Sequence, residues 1–200
     1  MDAVRVALLR EVLAGTEWLP ATRRFAGGLR ASVAPRGGGL LLVGTDEYEP
    51  WHLAAHLDDE AAWSGLPELS PTLVRHRVPH SAPAHLAVGL GRLEAAGRRE
   101  TLLVVTPRQP GAQLLERVQD ARRAGATVLA LDGGTHGERS ELLGIAHDAL
   151  VADPDELDLD TLQHLVSAAA GENTCGGSLG AGPASSRQPP GRHRRRFRDR

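Results

Sequence analysis

Two short segments hold the residues best suited to binding a ligand. One runs Gly44-Thr45-Asp46-Glu47-Tyr48-Glu49-Pro50 and the other Thr106-Pro107-Arg108-Gln109-Pro110-Gly111-Ala112. Each reads as a loop that leaves an apolar run and enters a helix, so each ends at a helix N-terminus, whose free N–H groups and positive dipole end suit an anion. Gly44, Thr45, Asp46 and Glu47 in the first, and Thr106, Arg108, Gln109 and Gly111 in the second, are the candidate ligand-binding residues. Arg108 supplies a fork able to pair bidentately with an oxyanion. Asp46, Glu47 and Glu49 oppose it, since carboxylates a few ångströms from a phosphate repel it. Pro107 and Pro110 remove two N–H donors from the second loop.

Histidines form the second chemical group. His52 and His56 are four apart, with Asp58, Asp59 and Glu60 following, the spacing of a helical zinc pair. The interval Leu53-Ala54-Ala55 lacks the glutamate that metal hydrolases place there, so solvent-facing histidines are the expectation and no metal site is assigned. His76, His80 and His85 flank Arg77-Val78-Pro79 without a carboxylate at a fixed spacing that would mark one as a base. Glu94 and Glu116 read as helix-surface groups. No serine lies in a Gly-x-Ser-x-Gly elbow, and neither a Walker loop nor a Gly-x-Gly-x-x-Gly turn occurs, so no cofactor is expected and no catalytic residue is named.

The elements that must position these loops follow from periodicity. An amphipathic helix is expected over 2–14 and a helical or irregular stretch over 20–34. Leu40-Leu41-Leu42-Val43 is a continuous apolar run of the kind buried on both faces of a parallel sheet. Helices at 50–62, 83–96, 111–124, 137–147 and 158–170 then alternate with strands at 72–78, 101–106, 127–131 and 149–151. Gly97 and Gly125 stand where a left-handed residue would close the helices at 83–96 and 111–124. The expectation is an α/β fold: a three-layer α-β-α sandwich on a five-stranded parallel sheet in flavodoxin-like order, with ligands beyond the carboxyl ends of the strands, where strand order reverses.

In their order and spacing these segments resemble the sugar isomerase (SIS) domain, a phosphosugar-binding module, over roughly residues 1–170. The residues that carry the resemblance are the leading helix, Gly39 to Thr45 in the place of the family's strand and Gly-Thr-Ser turn, and Leu102 to Thr106 followed by a turn and a helix. Gly125-Ala126-Thr127-Val128-Leu129-Ala130-Leu131 is similar to the family's Gly-Ala-x-Val-x-x-Ile strand, and Ala146-His147-Asp148-Ala149-Leu150-Val151 to its step of alanine, aspartate and hydrophobics. The resemblance implies a small phosphosugar ligand, a homodimer paired through helices and, if there is activity, a sugar-phosphate isomerisation. The family binds phosphate with a hydroxyl cluster, roughly Ser-x-Ser-Gly-x-Ser/Thr; here Thr106 alone keeps a hydroxyl, and Arg108, Gln109 and Gly111 take the other places. Two readings stay open: a binding domain, non-catalytic or weakly catalytic, with altered loops, or a regulatory or interaction protein that uses the fold as a scaffold.

Composition sets the outer bounds. Two hundred residues suit one domain, and with 3% aromatics the core must be aliphatic. Cys175 has no partner for a disulfide, the N-terminus lacks the form of a signal peptide, and no run approaches the roughly 20 apolar residues of a membrane span, so a cytoplasmic protein is expected. All 23 basic residues are arginine. Seven of them, with one aspartate, give residues 187–200 a charge of +6, while the rest of the chain sums to −8. From Gly171 the composition turns to Gly, Ser, Pro and Arg, which cannot bury enough surface to offset chain entropy, so 171–200 reads as a disordered tail. The stretch from Arg192 to Arg200 suits nucleic acid or another acidic partner. A charged extension without a specific partner is the preferred reading.

Overall fold

The computed structural model describes residues 8, 11–33, 38–134 and 140–172. Most of the helix expected over 2–14, part of the one at 137–147 and nearly all of the tail from 171 lie outside them. Element by element, the chain runs α1 (Trp18–Val33), β1 (Leu40–Val43), α2 (Trp51–Ser64), β2 (Pro71–Val74), β3 (Thr101–Thr106), α3 (Ala112–Arg123), β4 (Thr127–Asp132), α4 (Glu141–Ile145), β5 (Asp148–Val151) and α5 (Leu159–Gly171). Three short 3-10 turns lie at Pro67–Leu69, Ala84–Leu86 and Leu90–Ala95.

The five strands pair in parallel throughout, in the order β2-β1-β3-β4-β5. This is the flavodoxin-like order, and it places the reversal of strand order between β1 and β3. Alternation along each strand divides the core in two. Leu40, Leu42, Leu103, Val105, Leu129 and Leu131 face one side, against Phe25, Ala26 and Leu29 of α1, Leu53 and Leu57 of α2, and Leu162, Leu165 and Val166 of α5. Leu41, Val43, Leu102, Val104, Val128 and Ala130 face the other, against Leu114, Val118 and Ala121 of α3 and Leu142 of α4. Each inner strand is therefore buried on both faces, which is why it reads as an unbroken apolar run.

The structure corrects three expectations. The segment 83–96 forms two 3-10 turns in place of a helix. Its apolar residues recur at helical spacing, but Gly89 and Gly91 in its interior disfavour continuous α-helix, and the turns still bury Leu93 completely. β2 stops at Val74 instead of reaching Val78. Its register partner Val43 is the last residue of β1, so the ladder has nothing left to pair with, and the Arg75 N–H turns to the Val88 carbonyl at 2.9 Å. Gly125 closes α3 in the left-handed region at φ +98°, as does Gly65 at φ +68° after α2, whereas Gly97 is not among the left-handed glycines.

α5 carries the best-defined cap. Asp158 accepts the Thr161 N–H at 2.8 Å and its hydroxyl at 2.8 Å. The N–H bond from Thr161 is the main cause that lowers the Asp158 carboxyl below its ordinary value. The cap thus stabilises the fold above the ordinary carboxylate range and is lost as pH falls through the lower folded value. Asp158→Ala is expected to cost about 1 kcal/mol near neutral pH, and the difference from wild type in urea unfolding should vanish in acid.

Candidate functional site

The loops after β1 and β3 face one another across a cleft of about 500 Å³, lined by Thr45, Asp46, Glu47, Tyr48, Pro107, Arg108, Gln109 and Gly111. That volume is in the range of small-molecule sites, roughly 300–1,000 Å³. Parallel β1 and β3 lie side by side, so their carboxyl ends deliver the two loops to the same edge of the sheet. Gly111 is the residue before α3, which brings the N-terminus of that helix to the cleft wall.

Six of the eight residues expected to bind a ligand line this cleft: Thr45, Asp46, Glu47, Arg108, Gln109 and Gly111. The other two do not. Gly44 lies beneath the first loop, where the chain folds back so tightly that a Cβ would stand 1.8 Å from the Tyr48 carbonyl oxygen. Reciprocal bonds hold this fold: Thr45 N–H to the Tyr48 carbonyl at 2.9 Å and Tyr48 N–H to the Thr45 carbonyl at 3.3 Å. Thr106 is fully buried, and its hydroxyl points to Asp132 at the end of β4, 3.5 Å away, instead of lining the cleft. Asp132 in turn accepts the Gly134 N–H at 2.9 Å. The hydroxyl that the second loop retains is thus spent on joining two strand ends.

One of the two carboxylates in the cleft lining, Glu47, is paired with its arginine. Arg108 Nη2 reaches across to Glu47 Oε2 at 2.7 Å, and both side chains are about 70% exposed (74% and 70%), so the pair is soft and contributes little stability. Glu49, expected to add repulsion, instead pairs with Arg75 at 3.1 Å and accepts the Trp51 indole N–H at 2.8 Å. Arg75 in turn lies over the Trp51 ring, 5.0 Å from its centre. His76 sits with Nε2 3.0 Å from the Gly44 carbonyl oxygen, behind the loop.

Tyr48 and Pro107 are cleft residues that loop composition did not single out. Tyr48 also links the cleft to α5. Its hydroxyl accepts from Gln163 Nε2 at 2.9 Å and lies 3.4 Å from Asp160 Oδ1. Burial, ahead of any other cause, pushes the phenol above its ordinary value, so it is a hydrogen-bonding group at neutral pH.

Behind Tyr48, His52 and His56 of α2 meet His164 of α5. Their ring centres are 4.5 Å (His52 and His56), 4.6 Å (His52 and His164) and 4.9 Å (His56 and His164) apart. His56 and His164 are half-buried and His52 is exposed, which differs from the solvent-facing pair expected on α2. Burial, with the charge of His52 second, lowers His56 below the ordinary imidazole value.

A second hollow of about 400 Å³ lies between α1 and α5, lined by Arg23, Gly27, Arg30, Leu66 and Ala169 among others. Arg30 there is engaged in closing α5, donating to the Ala170 carbonyl at 2.9 Å and to that of Glu172. A cation on the last carbonyls of a helix is a structural arrangement. The cleft at the strand ends is therefore taken as the candidate site.

No family model matches the chain, and no curated protein matches its sequence. Solved structures do. The sugar isomerase domain of the RpiR transcription factor from Sphaerobacter thermophilus aligns over 85% of this chain and 88% of that one, at 14% identity and a TM-score of 0.52. A phosphoheptose isomerase from Francisella tularensis aligns over 84% of this chain and 92% of that one, at 16% identity and a TM-score of 0.50. At such identity, what the two have in common with this chain is the fold. Among the described residues no helix is long and apolar enough to cross a membrane.

Proposed function

On the sugar isomerase fold that the chain adopts, we propose a binding domain for a small phosphosugar, non-catalytic or weakly catalytic, with the ligand held between the loops after β1 and β3. The observation that carries the reading is the cleft itself: it opens where strand order reverses, and it brings Arg108, Gln109 and the N-terminus of α3 to one wall. Phosphate would take Arg108 from Glu47, replacing a soft surface pair with a charge-assisted bidentate contact. Asp46 and Glu47 would then face sugar hydroxyls, for which carboxylates are good acceptors.

The domain of this reading covers about residues 1–170, is cytoplasmic and forms a homodimer. Pairing through helices would cover Trp63, which α2 leaves 74% exposed; a monomer by light scattering would remove that part of the proposal.

Thermal unfolding against a panel of sugar phosphates and their unphosphorylated counterparts tests the main claim. A ligand at a hundredfold excess over Kd adds about 2.7 kcal/mol, or roughly 5–10 °C for a chain of this size. Arg108→Ala should cancel most of the response. Glu47→Gln should strengthen it up to about fivefold in affinity, since an exposed competing pair is worth less than about 1 kcal/mol. No stabilisation by any phosphosugar at millimolar concentration would sink the reading.

A further inference from the structure

The three histidines behind Tyr48 make a set that the cleft does not use. His52 and His56, at i and i+4, share one face of α2. His164 comes to the same point from α5, and one ring nitrogen of each lies within 4.8 Å of the other two. Asp160 and Gln163 line the same small hollow. Imidazole nitrogen is a metal ligand, and here three such donors converge on one point from two helices. His56 Nε2 is buried with no hydrogen-bond partner in the protein, and folded proteins rarely leave such an atom unsatisfied. An ion at the centre of the trio would satisfy it.

We propose that His52, His56 and His164 bind one zinc-type divalent ion that ties α2 to α5, with the fourth coordination position open beside Asp160. Three neutral imidazoles are a donor set that suits zinc, copper and nickel and poorly suits magnesium or calcium. With Zn–N bonds of about 2.0–2.1 Å, tetrahedral nitrogens stand about 3.3 Å apart. The rings must therefore close by up to about 1.5 Å, which side-chain torsions supply while the helices stay in place. Asp160 and Gln163 provide the oxygen atoms that the fourth position and the outer shell require. Because Gln163 and Asp160 also hold the Tyr48 hydroxyl, the ion would stiffen the support of the cleft. The site does not depend on phosphosugar binding and can be tested without it.

The experiment uses the full chain after chelator treatment, titrated with Zn²⁺ by calorimetry and with Co²⁺ by visible absorption. Expected are one ion per chain, the visible bands of tetrahedral cobalt, and a rise in Tm of roughly 5–10 °C at a hundredfold excess of zinc over Kd. His52→Asn, at an exposed position and so without a folding penalty, should weaken zinc at least about tenfold. The double variant H56N/H164N should abolish the cobalt spectrum, and His80→Asn should change nothing. The proposal is overturned if neither ion binds below millimolar concentration. It is equally overturned if binding persists unchanged in His52→Asn and in the double variant, which would place the ion on residues such as Cys175 or His193.

Discussion

Gly44→Ala is expected to lower stability by about 2–3 kcal/mol, the upper part of the range for a group forced into filled space, and to abolish the thermal response to sugar phosphates. The added Cβ would stand 1.8 Å from the Tyr48 carbonyl oxygen and 2.8 Å from Pro50 Cδ. Neither neighbour is the free end of a flexible side chain. The oxygen belongs to the reciprocal Thr45 and Tyr48 bonds, so making room means opening the turn that forms the cleft wall. Gly27→Ala is the matching control. Gly27 lies inside α1 with nothing within 4 Å of its would-be Cβ, and alanine there should stabilise by about 0.5–1 kcal/mol through helix propensity. Urea midpoints of the two variants should move in opposite directions. A neutral Gly44→Ala would mean that the loop does not fold back as described.

Leu103→Ala should cost about 3 kcal/mol and lower Tm by roughly 6–12 °C. Leu103 is 0% exposed on β3, with β1 and β4 on either side and the α1, α2 and α5 layer above it. A strand with neighbours on both edges and both faces has little freedom to collapse into a cavity. Leu103→Met, which keeps the volume, should cost less than about 1.5 kcal/mol. Thermal and urea unfolding of the pair separate loss of volume from mere change of shape, and equal losses for the two would argue that Leu103 is not in a close-packed position.

The central sheet was legible because its cause is local. A strand buried on both faces has no polar positions, so Leu102, Leu103, Val104 and Val105 announce β3 without reference to the rest of the chain. The region between β2 and β3 was not legible from periodicity, because two signals conflict there. Leu86, Leu90 and Leu93 keep helical spacing, while Gly89 and Gly91 weaken the helix, and the backbone preference decided the outcome. The candidate site was half legible. Loop position after a parallel strand identifies which residues reach the edge of the sheet, but not how a side chain turns once there: Thr106 turned down toward Asp132, and Glu49 turned away to Arg75 and Trp51. His164 carried no local signal at all. It joins His52 and His56 only because α5 packs beside α2, a contact between segments far apart in sequence.

Tyr48 lines the cleft and touches α5 with its hydroxyl, and it is the single tyrosine among the 200 residues. That gives the molecule a built-in address for spectroscopy. Fluorotyrosine incorporated during expression enters one place and yields one ¹⁹F resonance, positioned between the cleft and the histidine trio. Occupancy on either side then becomes a change in one line of one spectrum, and the two sides can be titrated separately or together to learn whether each feels the other.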